Sequence, residues 1–356
     1  MSARGPRRRS RAYHQRRCAP PQAQRGIAML VAILLVALGT ILAAAVAYEN
    51  AMTARRGTAT YAFDQSLLIA QGAEALAAYG LRQIRQSDPQ HIYPGQGWDK
   101  PLGPVEVVPG VMLEASLEDL QGRMNLNMLV NKDGTPNTAY VTAFAQLLEM
   151  LGLEPKWAGF VVDWIDADLV PQNPDGAEDS VYMGQVPPYR TANRYITSTS
   201  ELLALPGFGI DRYQKLAPYV AALPWGTKIN VCTAPGPVLD AFIGAGHSEF
   251  GANPQQLTQN RGNTTGCFPT LANYVALLGG PQVGANVNPI VAPGVVGQNV
   301  GQNARQNLAN TFGQTSQYFR LTSFITIGSA EFNLYSLLYQ DTNGTVRPIQ
   351  RSFTPD

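Results

Sequence analysis

Gln24-Arg25-Gly26-Ile27-Ala28-Met29-Leu30-Val31 marks where a basic leader gives way to an apolar run that continues without a charge to Ala47. The run reaches the roughly 20 residues a helix needs to cross a hydrocarbon core. It exceeds the apolar region of a secretory signal, about 7–15 residues. Upstream, residues 1–25 hold eight arginines and no acid, a pattern that stays on the cytoplasmic side of a membrane. An uncleaved signal anchor has the same features, and a secretory signal cut after Ala45-Val46-Ala47 fits the small-residue rule. Outward from the junction, Phe63, Leu67, Ala70, Ala73, Ala77, Leu81 and Ile84 recur at three- and four-residue intervals until Ser87-Asp88-Pro89. This spacing predicts one helix of about 60 residues, with a distal half that is amphipathic and packs on a sheet.

The junction resembles the processing site of the minor pseudopilin K family of bacterial type II secretion, a type IV prepilin-like class. Ala70-Gln71-Gly72-Ala73-Glu74-Ala75-Leu76-Ala77 and Gly122-Arg123-Met124-Asn125-Leu126-Asn127 resemble further stretches of that family. The resemblance implies a leader, residues 1–26, removed after Gly26 by a prepilin peptidase, which leaves a methylated Ile27 as the amino terminus. It implies a single pass of the inner membrane by residues 27–48 and a periplasmic body. The implied role is at the tip of the pseudopilus, initiating or capping its assembly for protein export across the outer membrane. Implied partners are minor pseudopilins I and J, the major pseudopilin filament, the secretin and secreted substrates.

The prepilin class usually has a glutamate fifth in the mature chain, and here that position is Val31. A carboxylate in the bilayer costs about 2.5–3.5 kcal/mol and needs a partner, thought in pilins to be the amino terminus of the preceding subunit. Val31 therefore fits a subunit with none ahead of it.

The chain has 356 residues and 45% apolar content, enough for one or two sizeable cores. Loss of the leader leaves 18 of the 26 lysines and arginines against 25 acids, a net charge of −7. That sign opposes nucleic-acid partners, whose affinity rests on neutralising phosphates. Cys18 lies in the leader, and Cys232 and Cys267 remain as a pair that an oxidising compartment can join.

The expected fold class is α+β: a pilin-like long N-terminal helix and antiparallel sheet, with a large inserted α-helical domain. The first part of the pilin-like domain spans 49–126, the helical insertion 127–224, and the second part 225–356 with a Gly/Asn/Gln/Pro-rich loop near 279–317. Strands are expected at Val111–Leu120, Lys228–Ala234, Tyr318–Ser329, Glu331–Gln340 and Thr345–Phe353. His91–Pro109 reads as a Gly/Pro-rich connection. Helices are expected at Thr138–Leu151, Pro155–Asp166, Thr199–Leu205 and Asp211–Leu223.

The densest polar cluster runs from Asp163-Trp164-Ile165-Asp166-Ala167-Asp168 through Asp175 and Glu178-Asp179 to Asn193. Several carboxylates around a Pro/Gly loop offer the hard oxygens calcium takes, and the family resemblance implies calcium in this insertion. Asp168, Asp175, Glu178 and Asp179 lead as ligands, followed by Asp166, Asn193 and Glu201. The spacing is not that of an EF-hand, and a solvated acidic loop pairing with Arg190 and Arg194 is the competing reading. No nucleophile and base accompany Asp163 and Asp166, and the three histidines are scattered, so no enzyme is expected. Leu205-Pro206-Gly207-Phe208-Gly209 resembles a helix-hairpin-helix, the basis of an alternative as an envelope-anchored DNA-binding protein. Glu201, Asp211 and the acidic balance oppose it, and a compact packing turn is the simpler reading.

Overall fold

The computed structural model describes residues 24–242, 254–262, 266–268 and 310–354. The leader up to residue 23 and most of the 279–317 stretch lie outside them. Helix α1 (Gln24–Ser87) is 64 residues long, and its stretch from Ile27 is long and apolar enough to cross a membrane. Every side chain from Ile27 to Ala47 is exposed. The helix stops where Pro89 bars helical geometry at Asp88, and the Asp88 carboxylate accepts the backbone N–H groups of Gln90 and His91, each at 3.1 Å.

Within residues 63–356, a five-stranded sheet is formed by β1 (Leu102–Val108) and β2 (Val111–Asp119) before a long helical body. After that body come β7 (Tyr318–Ile327), β8 (Ala330–Gln340) and β9 (Val346–Ser352). The order is β1-β2-β7-β8-β9, antiparallel throughout. Period-two alternation sends Val111, Leu113, Phe319, Leu321, Ile325, Leu334 and Leu338 to one face, where they share a core with Ala70, Ala73, Leu81 and Ile84 of α1. Buried Glu74 of α1 accepts two bonds from Arg351, both 2.7 Å, and one from Ser336 Oγ at 2.6 Å. Further along, Gln340 Nε2 donates to Leu81 O at 3.1 Å.

Between β2 and β7 the chain forms β3 (Met124–Asn125), α2 (Thr138–Met150), α3 (Trp157–Ile165), α4 (Asp179–Tyr182), α5 (Gly209–Leu216) and β4 (Val220–Ala221). Next come β5 (Ile229–Asn230), α6 (Gly236–Asp240), α7 (Pro254–Asn260) and β6 (Phe312–Gly313). One apolar core joins Phe144, Leu147, Val161, Val162 and Leu216 to Val231, Leu239, Phe268 and Phe312. Val231, Leu239, Leu257 and Phe268 thus pack with the helices, and the chain enters the large sheet again at β7.

Several expectations differ from the structure. Lys228–Ala234 does not join the large sheet: only Ile229 and Asn230 are extended, pairing in parallel with β6. Strand β1, inside the stretch expected to be a connection, contains the Gly103-Pro104 pair and carries two register shifts, so it lacks a clean alternation. Pro218 cuts the Asp211–Leu223 helix at Leu216, after which a 3-10 turn leads into β4. Thr199–Ala204 is a 3-10 turn rather than an α-helix.

A polar joint ties the sheet to the helical body. Asp119 accepts from Gln121 N, Asn230 Nδ2, Thr233 Oγ1 and Ser316 Oγ at 2.6–3.1 Å. Beside it, Glu118 pairs with both Arg123 and Arg320.

Candidate metal centre

Helix α3 places two acids at its end. Asp163, fully buried, accepts Ala177 N at 2.6 Å and Gln172 N at 3.1 Å, so it fastens the following loop back against the helix. The loop comes so close that a Cβ on Gly159 would meet Asp175 O, and one on Gly176 would meet Gln172 and Asp163. Glycine is required at both positions. Asp166 caps the helix in extended conformation, ψ 166°, which turns its side chain out of the helical series.

The result is a convergence of Asp166, Asp168 and Glu178, whose ligand oxygens all lie within 4.8 Å of one another. Asp166 is 1% exposed and Glu178 3%. Neither oxygen of Asp166 has a hydrogen-bond donor, nor has Oε1 of Glu178. Glu178 Oε2 takes only a long bond from Thr191 Oγ1, 3.3 Å. Burial, then the neighbouring carboxylates Asp168, Asp163 and Glu178, push Asp166 up to about 7. Burial first, then Asp163, raises Glu178 to about 7 as well.

Asn193 completes the edge of the group. Its φ of 47° lies in the left-handed region that asparagine tolerates. Its backbone N–H donates to Trp164 O at 3.1 Å and its Nδ2 to Asp168 O at 3.3 Å. Its Oδ1 is buried without a donor.

Buried anionic oxygens without donors are costly, and a hard dication that takes oxygen ligands satisfies them. The convergent oxygens of Asp166, Asp168 and Glu178 are a donor set that fits calcium.

The structure ranks the sequence candidates differently. Asp166, expected behind the loop acids, is the most buried of the three. Asp175 is exposed and outside the convergent group. Asp179 accepts Thr191 N at 3.2 Å and faces Arg190 at 3.5 Å. Glu201 forms the capping box with Ser198 and accepts Trp164 Nε1 at 3.3 Å. Tyr182 packs its ring at an angle against Trp164 and edge-on against Tyr189, with its hydroxyl buried and without a partner.

The Leu205–Gly209 hairpin is a packed turn. Gly207 and Gly209 take φ of 80° and 74°, Phe208 packs edge-on against Trp157, and Arg212 caps Gly207 O and Phe208 O at 3.1 and 3.0 Å.

Residues 122–225, which span β3 to β4 and enclose the carboxylate centre, match the family model of type II secretion system (T2SS), protein K. The type II secretion system protein K of Pseudomonas aeruginosa is 35% identical over 229 residues, 62% of this chain and 68% of that protein. The chain belongs to the type II secretion system protein K family. It is a minor pseudopilin. Protein K of Klebsiella pneumoniae is 37% identical over 219 residues, 59% of this chain and 66% of the relative. In fold, the chain is similar to one in the crystal structure of the GspK-GspI-GspJ complex from enterotoxigenic Escherichia coli. The TM-score is 0.67 at 23% identity, over 85% of this chain and all of that one.

Proposed function

We propose that this minor pseudopilin occupies the end of the pseudopilus, where it starts or caps assembly with minor pseudopilins I and J. One observation carries the reading: the helical body is inserted between β2 and β7 of a stalk-and-sheet unit, a bulk that fits most readily where no further subunit stacks beyond it. Val31 supports it, since the fifth mature position offers no carboxylate to a subunit ahead. The similar fold in a GspK-GspI-GspJ complex supports the choice of partners.

In this reading a prepilin peptidase cuts after Gly26, α1 anchors the chain in the inner membrane through Ile27 and onward, and the body lies in the periplasm. Asp166, Asp168 and Glu178 would hold calcium, which would supply positive charge to the buried carboxylates. The chain's own groups prepare that site: Asp163 holds the loop's backbone, and Asn193 and Thr191 close its far side.

Mass spectrometry of the mature amino terminus tests the processing step. A chain starting at methylated Ile27 is expected, and one starting at Tyr48 or Met1 overturns it. Co-purification of the full chain with minor pseudopilins I and J tests the assembly. A complex in which this chain binds the major pseudopilin but neither of those two removes the tip placement.

A further inference from the structure

The carboxylate centre is open on one side. Asp166 and Glu178 are buried, whereas Asp168 is exposed. Each of the three acids brings one oxygen to the convergence, fewer than the roughly 6–8 oxygens that calcium takes. Positions on the Asp168 side therefore remain for oxygens from outside these three side chains.

Apolar side chains stand out on the chain segments that leave this centre. Leu169 and Val170, which follow Asp168, are 63% and 69% exposed. The Asp168 carboxylate accepts the backbone N–H of Val170 at 2.7 Å, so one acid both joins the centre and fixes the turn that carries this pair. Beyond Glu178 and α4, residues 183–188 form a spur closed at its base by Tyr182 O, which accepts Gln185 N at 3.1 Å and Tyr189 N at 3.4 Å. Met183 on the spur is half-exposed and Val186 is 98% exposed. Tyr182 packs against Trp164 of α3, and Tyr189 Oη donates to Ala204 O at 2.5 Å, so the spur is anchored on the helical body.

The form of these side chains selects what they meet. Val186, with almost all of its surface in water, projects instead of lining a groove. Protein interfaces draw most of their energy from aromatic and arginine anchors seated in pockets, whereas Leu169, Val170, Met183 and Val186 are aliphatic and protrude. Such side chains enter the boundary between lipid headgroups and acyl chains, about 5–10 Å deep, where no matching pocket is needed. Arg190, just past the spur, adds an exposed cation, and headgroup phosphates carry the hard anionic oxygens that the open positions take.

We propose that the Asp168 side of the centre, with Leu169, Val170, Met183 and Val186, docks on an anionic phospholipid surface in a calcium-dependent way. The four apolar side chains enter the leaflet, and headgroup phosphate oxygens add to the set that Asp166, Asp168 and Glu178 begin. Without the ion, exposed Asp168 and Asp175 meet the headgroups with like charge, so the contact needs both the apolar side chains and calcium. It rests on the calcium reading proposed above.

The test uses the full chain in phosphatidylcholine nanodiscs, which take up the apolar part of α1, mixed with vesicles of phosphatidylglycerol and phosphatidylcholine. Co-sedimentation with the vesicles reads a second lipid contact, and empty nanodiscs set the background. The eight arginines of residues 1–25 attract the same vesicles without calcium, so the difference between calcium and chelator is the quantity read. Calcium is expected to raise the sedimented share about tenfold, and vesicles of phosphatidylcholine alone are expected to stay near background.

A variant with Leu169→Ser, Val170→Ser, Met183→Ser and Val186→Ser changes only exposed side chains. It is expected to lose most of the calcium-dependent sedimentation while its melting temperature still rises with calcium. Sedimentation equal to that of the unmutated chain overturns the proposal. So does an unmutated chain whose melting temperature rises with calcium but which gains no vesicle contact, a result that leaves the calcium reading standing. No rise in melting temperature overturns the calcium reading and the lipid contact with it. Calcium-dependent capture of minor pseudopilins I and J that the variant loses, without vesicle contact, assigns the apolar side chains to a protein and overturns the lipid surface.

Discussion

Two buried carboxylates, Glu74 and Asp166, show how differently the two bodies are held. Glu74 in the stalk is 5% exposed and meets Ser336 and both arms of the Arg351 guanidinium. Asp166 in the helical body is 1% exposed and meets no donor, with two further carboxylates beside it. The sheet body supplies the countercharge for its buried acid from its own chain. On the reading proposed above, calcium would supply that countercharge to the acidic loop.

Chelation gives the largest expected break between them. At free calcium a thousandfold above its dissociation constant, the ion adds about 4 kcal/mol. Adding a chelator is expected to remove that from the helical body, seen as faster hydrogen exchange over 166–193 with no change in β7 and β8. Equal acceleration in both regions breaks the distinction.

Arg351→Met tests the other side. It leaves Glu74 buried with Ser336 as its remaining partner, a loss of about 3 kcal/mol. Chemical denaturation is expected to show that loss equally with and without calcium.

Asp166→Asn sharpens the contrast through its sign. In chelator it relieves repulsion and is expected to raise stability by about 1 kcal/mol, while the calcium-induced rise in melting temperature disappears. A variant that still responds fully to calcium removes Asp166 from the ligand set.

The pH dependence follows from the same groups. Asp166 and Glu178 are raised to about 7 in the fold from ordinary values of 3.8 and 4.5. The calcium-free fold therefore holds its stability below those ordinary values and loses it as pH rises through 7. A lower melting temperature at pH 8 than at pH 5.5 is expected in chelator, and calcium is expected to narrow the gap. The smallest effect belongs to Arg212→Ala, which uncaps Gly207 and Phe208 and costs about 1 kcal/mol, measured as a shift in melting temperature.

The elements with strong periodicity were the legible ones. The repeat from Phe63 to Ile84 defined the stalk helix, and the alternation of Tyr318–Gln340 defined two central strands. Strand β1 was missed because Gly103-Pro104 and the bulges hide its period. Asp166 was ranked low because its position continues a helical pattern, while its backbone has already left the helix. Asp175, Asp179 and Glu201 look like ligands in a one-dimensional list of acids, but Arg190, Thr191 and the Ser198 cap bear on the last two. The Glu74–Arg351 pair joins residues 277 positions apart, and no local pattern announces it.

That pair also has a mechanical meaning. Along α1, Glu74 and Leu81 hold Ser336 and Gln340 in the same order along β8, so helix and strand run side by side. A push on the stalk along its axis enters the sheet as shear, spread over these bonds and the apolar contacts between them, instead of peeling one contact at a time. Glu74 hands part of that load straight to β9 through Arg351, so a subunit driven from its helix moves its sheet as one piece.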